Sequence, residues 1–134
     1  MAIDPILLAY VASEETYFDR ETVIQEESKN NWVYVILEGR VKIQKKSPRG
    51  LVTLGTLKKG AVLGEMAFLT GGKGVRSVSA VATGGDVRVG LLDSQRLLRD
   101  YESVPPRLKD LINLLIKRLR SANDRVCELV AKAQ

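Results

Sequence analysis

Apolar and polar residues change rhythm twice along this chain. A short apolar stretch from Ile6 to Val11 predicts the start of a helix, and from Tyr17 onward the pattern turns to strands. Thr22-Val23-Ile24-Gln25 is short and β-branched, and the polar run from Glu26 to Asn31 reads as a turn. Trp32 to Leu37 is the strongest strand signal, rich in β-branched and aromatic residues. After the turn at Glu38-Gly39, the segment Arg40 to Gln44 alternates, which places Val41 and Ile43 on one buried face. Ser47-Pro48-Arg49-Gly50 closes another turn, and Leu51 to Leu57 is the next strand, ended by Lys58-Lys59-Gly60. Further strands follow at Val78 to Ala82 and Val87 to Leu92, separated by Thr83-Gly84-Gly85. Many short strands with glycine turns predict an antiparallel barrel or double-sheet roll.

Beyond Leu92 the pattern is helical. Asp93 or Ser94 can cap a short helix through Tyr101, and Pro105-Pro106 suits the first turn of a second. That second helix carries Leu108, Ile112, Leu115, Leu119, Ala122, Val126, Leu129 and Ala133, spaced 4, 3, 4, 3, 4, 3, 4. This heptad seam can pack on the chain's own barrel or on a partner helix. Two features favour the partner. The seam persists to Ala133, and Leu111 and Leu114 add apolar surface near the start of the helix, where the barrel would sit. The expected assembly is a homodimer through Leu115, Leu119, Ala122, Val126 and Leu129.

Composition narrows the chemistry. The 134 residues suffice for a single domain with a real core, and 45% hydrophobic with 28% charged residues is a soluble balance. No apolar run approaches a membrane span, so no membrane partner is expected. Met1 to Pro5 lacks a basic region followed by a long apolar stretch, so no signal peptide is expected either. Cys127 is the only cysteine, which excludes an internal disulfide and fits a reducing, cytoplasmic setting. There is no histidine, so zinc sites and Ser-His or Cys-His nucleophile pairs are excluded, and the inventory argues against an enzyme. The net charge is +5, but Lys42, Lys45, Lys46, Arg49, Lys58 and Lys59 are scattered. They read as a solvated face and not as a nucleic-acid footprint.

One segment carries a candidate ligand chemistry. Gly64-Glu65-Met66-Ala67-Phe68-Leu69 is followed by a glycine-rich loop and Arg76-Ser77. Unpaired N–H groups at the start of a helical turn favour an anion. An arginine adds a planar fork of donors for phosphate oxygens, and a carboxylate accepts from a sugar hydroxyl. Read alone, each residue has a plainer use. Gly64 serves a turn, Glu65 suits the first turn of a helix, and Arg76 begins a strand.

The order of these pieces resembles the cyclic nucleotide-binding domain family, most closely the sensory domain of the catabolite activator (Crp/Fnr) type. The resemblance runs from about Tyr17 to Val130. It rests on Trp32 to Val41, on Gly60 to Phe68, on Arg76-Ser77, and on Lys117-Arg118-Leu119 with Val126. It implies an antiparallel double-stranded β-helix, a jelly-roll-like β-roll over about 17–92, with a short cassette helix and C-terminal helices over about 94–132. One domain over 1–134 is expected, without a helix-turn-helix. The resemblance further implies that Gly64 to Ala67 form the phosphate-binding cassette. Glu65 would bind the ribose 2′-hydroxyl, and backbone N–H groups around Met66 and Ala67 would face the cyclic phosphate. Arg76 would pair with its charge, and Ser77 would add a hydroxyl. Leu57 would lie against the base, and Ala122 and Asn123 fall where the long helix meets the purine. Asn123 offers both a donor and an acceptor to a base edge.

Three departures stand out. The loop Thr70 to Val75 is longer than the family usually carries, and Val75 replaces the frequent proline before the arginine. Glu27 replaces a turn glycine, and Gly60-Ala61 replaces Gly-Asp. The implied function is a regulatory sensor for a cyclic mononucleotide, cAMP in preference to cGMP, relayed through the C-terminal helix. No cofactor is implied beyond this regulatory ligand, and no metal. The alternative is an interaction module of the same fold that binds no nucleotide and acts through the helix seam.

Overall fold

A computed structural model describes residues 3–26, 32–69 and 78–133, with the backbone alone for Met66 and Ala67. The order is α1 (Pro5–Ala9), β1 (Val11–Tyr17), β2 (Thr22–Ile24), β3 (Tyr34–Glu38), β4 (Arg40–Ser47), β5 (Gly50–Lys58), β6 (Val62–Leu63), α2 (Glu65–Leu69), β7 (Ser79–Ala82), β8 (Val87–Leu92), α3 (Ser94–Glu102) and α4 (Pro106–Ala133). The strands form two four-stranded antiparallel sheets, ordered β1-β8-β3-β6 and β2-β7-β4-β5. This is the double-sheet roll with flanking helices that the strand spacing predicts.

Burial explains the sequence rhythm. Strand β3 is apolar on both sides because both of its faces are covered. Tyr34 and Ile36 point between the sheets, where Val41, Val87 and Val89 meet them. Val33, Val35 and Leu37 point outward, under Leu7 of α1, Phe68 of α2 and Leu97 of α3. In β4 only alternate residues face inward, so Val41 is fully buried and Ile43 packs beside it.

Two local signals fix the joints. Asp93 caps α3, its Oδ1 accepting from the N–H groups of Gln95 and Arg96 at 3.0 and 3.2 Å. Gly39 turns β3 into β4 with φ +88°, and a Cβ there would lie 2.4 Å from the Asp86 carbonyl oxygen. Gly39→Ala therefore meets a left-handed backbone and a rigid clash together. The expected loss is about 1–3 kcal/mol from the backbone alone, measured by chemical denaturation.

The structure corrects several expectations. Helix α1 ends at Ala9, and Val11 already begins β1, so the roll starts before Tyr17. Strand β6, at Val62–Leu63, is an element that the sequence pattern did not suggest. Trp32 precedes β3 and is exposed. Glu26 is buried within the polar run read as a turn, while Glu27 to Asn31 lie outside the described residues. Leu111 and Leu114 do not meet the barrel and are solvent-exposed. The face of α4 turned to the roll carries Ile116, Cys127 and Ala131, with Cys127 and Ala131 against Val52 of β5. The heptad seam is largely open to solvent, with Leu115 53%, Leu119 48%, Val126 42% and Leu129 53% exposed.

Candidate functional site

A cavity of about 380 Å3 opens between β5, the β6–α2 junction and α4. That volume suits a small organic ligand. The register of β4 and β5 builds one wall. The ladder runs regularly from Ser47↔Gly50 to Gln44↔Thr53, then shifts so that Ile43 pairs with Gly55. The extra residue is Leu54, a β-bulge that re-aims the strand. Leu54, Gly55 and Leu57 all reach the cavity as a result, facing Ile43.

The second wall is the turn into α2. Gly64 takes φ +83°, a conformation that glycine adopts without steric cost, and Glu65 opens the helix immediately after. Both line the cavity. Helix α2 is held in place by Phe68, which is buried and meets the Tyr101 ring of α3 edge-on at 6.5 Å. The third wall is α4, which contributes Leu119 and Asn123.

Most of the lining is hydrocarbon, and Glu65, Asn123 and Thr56 supply the side-chain polarity. Such a surface accommodates a flat or apolar body, while a carboxylate and an amide engage hydroxyl and amide-like groups. Among the described residues, no group of three or more His, Cys, Asp or Glu could hold a metal ion, and no helix is long and apolar enough to cross a membrane.

Of the residues singled out from sequence, Leu57, Gly64, Glu65 and Asn123 come together at this cavity. Met66 and Ala67 follow Glu65 within α2. Arg76 and Ser77, like the loop before them, lie outside the described residues. Ala122 is exposed, and Leu119 occupies the cavity-facing position beside Asn123. Sequence reasoning assigned Leu119 to the seam alone, and it missed Ile43, Leu54, Gly55 and Thr56. A glycine in the middle of a strand was the available signal for Gly55. Lys45 was read as part of a solvated face, yet its side chain is only 20% exposed and lies between two carboxylates.

Comparison with known proteins agrees with this fold. The chain is 26% identical over 110 residues to a CRP-like cAMP-activated global transcriptional regulator of Mycobacterium tuberculosis, covering 81% of this chain and 48% of that one. It thus spans about half the length of the curated relatives that it matches. The structure of the EAL enzyme Bd1971 with cAMP and cyclic-di-GMP bound superposes with a TM-score of 0.76 at 28% identity, over 84% of this chain and 29% of that one. The cGMP-bound form of that enzyme gives 0.74 at 27% identity, over 81% and 28%. The catabolite activator protein of Thermus thermophilus gives 0.61 at 27% identity, over 92% of this chain and 57% of that one. The Cyclic nucleotide-binding domain family matches residues 14–103. With two four-stranded sheets, a cavity at the β6–α2 turn and this match over most of its length, the chain belongs to the cyclic nucleotide-binding domain family.

Proposed function

We propose that this domain is a regulatory sensor that binds a cyclic mononucleotide, cAMP in preference to cGMP, in the cavity between β5, α2 and α4. The observation that carries the reading is the convergence of Glu65, Leu57 and Asn123, from three separate elements, on one cavity. The base lies against the apolar wall of β5, with Asn123 at its edge. Glu65 accepts from the ribose 2′-hydroxyl. The N–H groups at the start of α2, together with Arg76 and Ser77, receive the cyclic phosphate. An apolar wall suits either purine. The M. tuberculosis relative is described as cAMP-activated, while Bd1971 has been solved with cAMP and with cGMP.

Ligand occupancy passes to α4 because that helix forms one wall of the cavity. We place the output on the exposed seam, where Leu115, Leu119, Ala122, Val126 and Leu129 join a second copy in a homodimer. A soluble monomer seldom leaves so continuous an apolar stripe uncovered. The same stripe also favours a second reading, an interaction module of this fold that acts through the seam without nucleotide.

Calorimetric titration with cAMP and then cGMP separates the two readings. Saturable heat with cAMP, weaker with cGMP, is expected. At a hundredfold excess over the dissociation constant the ligand should raise stability by about 2.7 kcal/mol, visible as a higher melting temperature. No heat and no thermal shift with either nucleotide near millimolar concentration would leave the interaction module standing.

A further inference from the structure

Three contacts tie the distal half of α4 to the β4–β5 hairpin. Cys127 and Ala131 pack on Val52. Arg49, in the hairpin turn, donates from Nη1 to the Ala131 carbonyl at 3.3 Å, satisfying one of the orphan carbonyls at the helix C-terminus. The third contact is ionic. The Lys45 ammonium lies 3.7 Å from Glu26 Oε2 and 3.6 Å from Asp124 Oδ1. Glu26 is 8% exposed, and its Oε1 accepts from the Lys46 N–H at 2.9 Å. Its backbone N–H donates to Ser79 Oγ at 2.8 Å, which ties the chain after β2 to the start of β7. A buried carboxylate needs a counter-charge, and Lys45 is that charge. Glu26 holds the ammonium at the roll, and Asp124 of α4 lies within ion-pair distance of it.

The placement of this relay matters. Lys45 lies on β4 two residues beyond Ile43, and both face the same side of the sheet. Asp124 follows Asn123 directly, and Ile43 and Asn123 both line the cavity. We propose that the Glu26–Lys45–Asp124 relay is a latch that holds α4 over the cavity, and that Lys45 and Asp124 are positioning residues for Asn123. The second half of this proposal rests on the nucleotide-binding reading of the cavity; the first half does not.

Cys127 provides the readout. It is the only cysteine and is buried on the face of α4 that packs on Val52, so a thiol reagent reaches it only when the helix lifts. Asp124→Asn keeps the shape and removes the charge from a residue whose own side chain is 63% exposed, so the fold should survive. Its Cys127 should be modified faster, by up to about fivefold, by the uncharged reagent 4,4′-dithiodipyridine, the range open to an ion pair with one exposed partner. Affinity for cAMP should fall by a similar factor, and Asp124→Glu should restore both. Unchanged thiol modification in Asp124→Asn overturns the latch. Faster modification with unchanged cAMP affinity overturns the positioning role. If the parent chain gives no heat with cAMP or cGMP, the nucleotide reading fails separately, and the thiol rates still decide for or against the latch.

Discussion

Arg76→Ala should abolish most of the cyclic nucleotide affinity, by roughly 2–5 kcal/mol, the usual loss when one member of a buried charge pair is truncated. The reasoning starts from the cavity. Its described lining is mostly hydrocarbon and includes a carboxylate, Glu65, which repels an anion. A cyclic phosphate entering it sheds water, and the N–H groups at the start of α2 offer only partial charges. A full positive charge is then needed, and Arg76 is the residue that the family motif supplies. The loss corresponds to a factor of about thirty to several thousand in the dissociation constant, well within the range of calorimetry. Arg76→Lys should recover only part of it, because an ammonium cannot offer the planar fork. Unchanged cAMP affinity in Arg76→Ala would remove Arg76 from the site.

The second large effect concerns assembly. Val126→Glu combined with Leu129→Glu should convert a homodimer to a monomer. Both side chains are about half exposed, and neither lines the cavity. In a symmetric helix pair each would be buried in both copies. Full burial of such a residue contributes about 1.5–3 kcal/mol, and only about half of each side chain is still exposed, so the four lost contacts amount to about 3–6 kcal/mol before any charge repulsion. Sedimentation or light scattering at micromolar concentration should read a single chain. A double variant that remains dimeric would show that the seam is not the interface. Leu119 is the wrong place for this test, because it lies on both the seam and the cavity.

How much of this was legible in the sequence depended on which faces each element buries. Strand β3 was plain because both of its faces are covered and its residues are apolar on both. The cap of α3 was narrowed to Asp93 or Ser94, because capping is a local matter of one side chain and two N–H groups, and the structure places it at Asp93. Strand β1 was not plain, because Val-Ala-Ser-Glu-Glu-Thr-Tyr lies at a sheet edge and half-buries only its first and last residues. Its partner is β8, and no local pattern announces that pairing. Helix α4 misled for a related reason. Its Leu115, Val126 and Leu129 mark a face left open to solvent, while the roll is met by Ile116, Asn123, Cys127 and Ala131. Small and polar residues packed against a sheet leave little trace in a hydrophobic count. At the site, the Gly64-Glu65 turn was readable as a motif, whereas the Leu54 bulge arises from pairing with β4, and a single strand does not display its register.

The nesting of the strands also governs how the chain can fold. Hairpin β4–β5 closes across Pro48 and Arg49 alone and is available as soon as both strands exist. Every other sheet contact in the ladder spans a larger loop, and the outermost joins Val11 to Leu92. Loop-closure entropy for such distant partners is met before their contacts give any return, which makes rolls of this kind slow folders. During synthesis β1 therefore waits unpaired until β8 has left the ribosome. The strand that waits is exposed over most of its length, and its run of Ser13, Glu14 and Glu15 keeps that edge from capturing a neighbour in the interval.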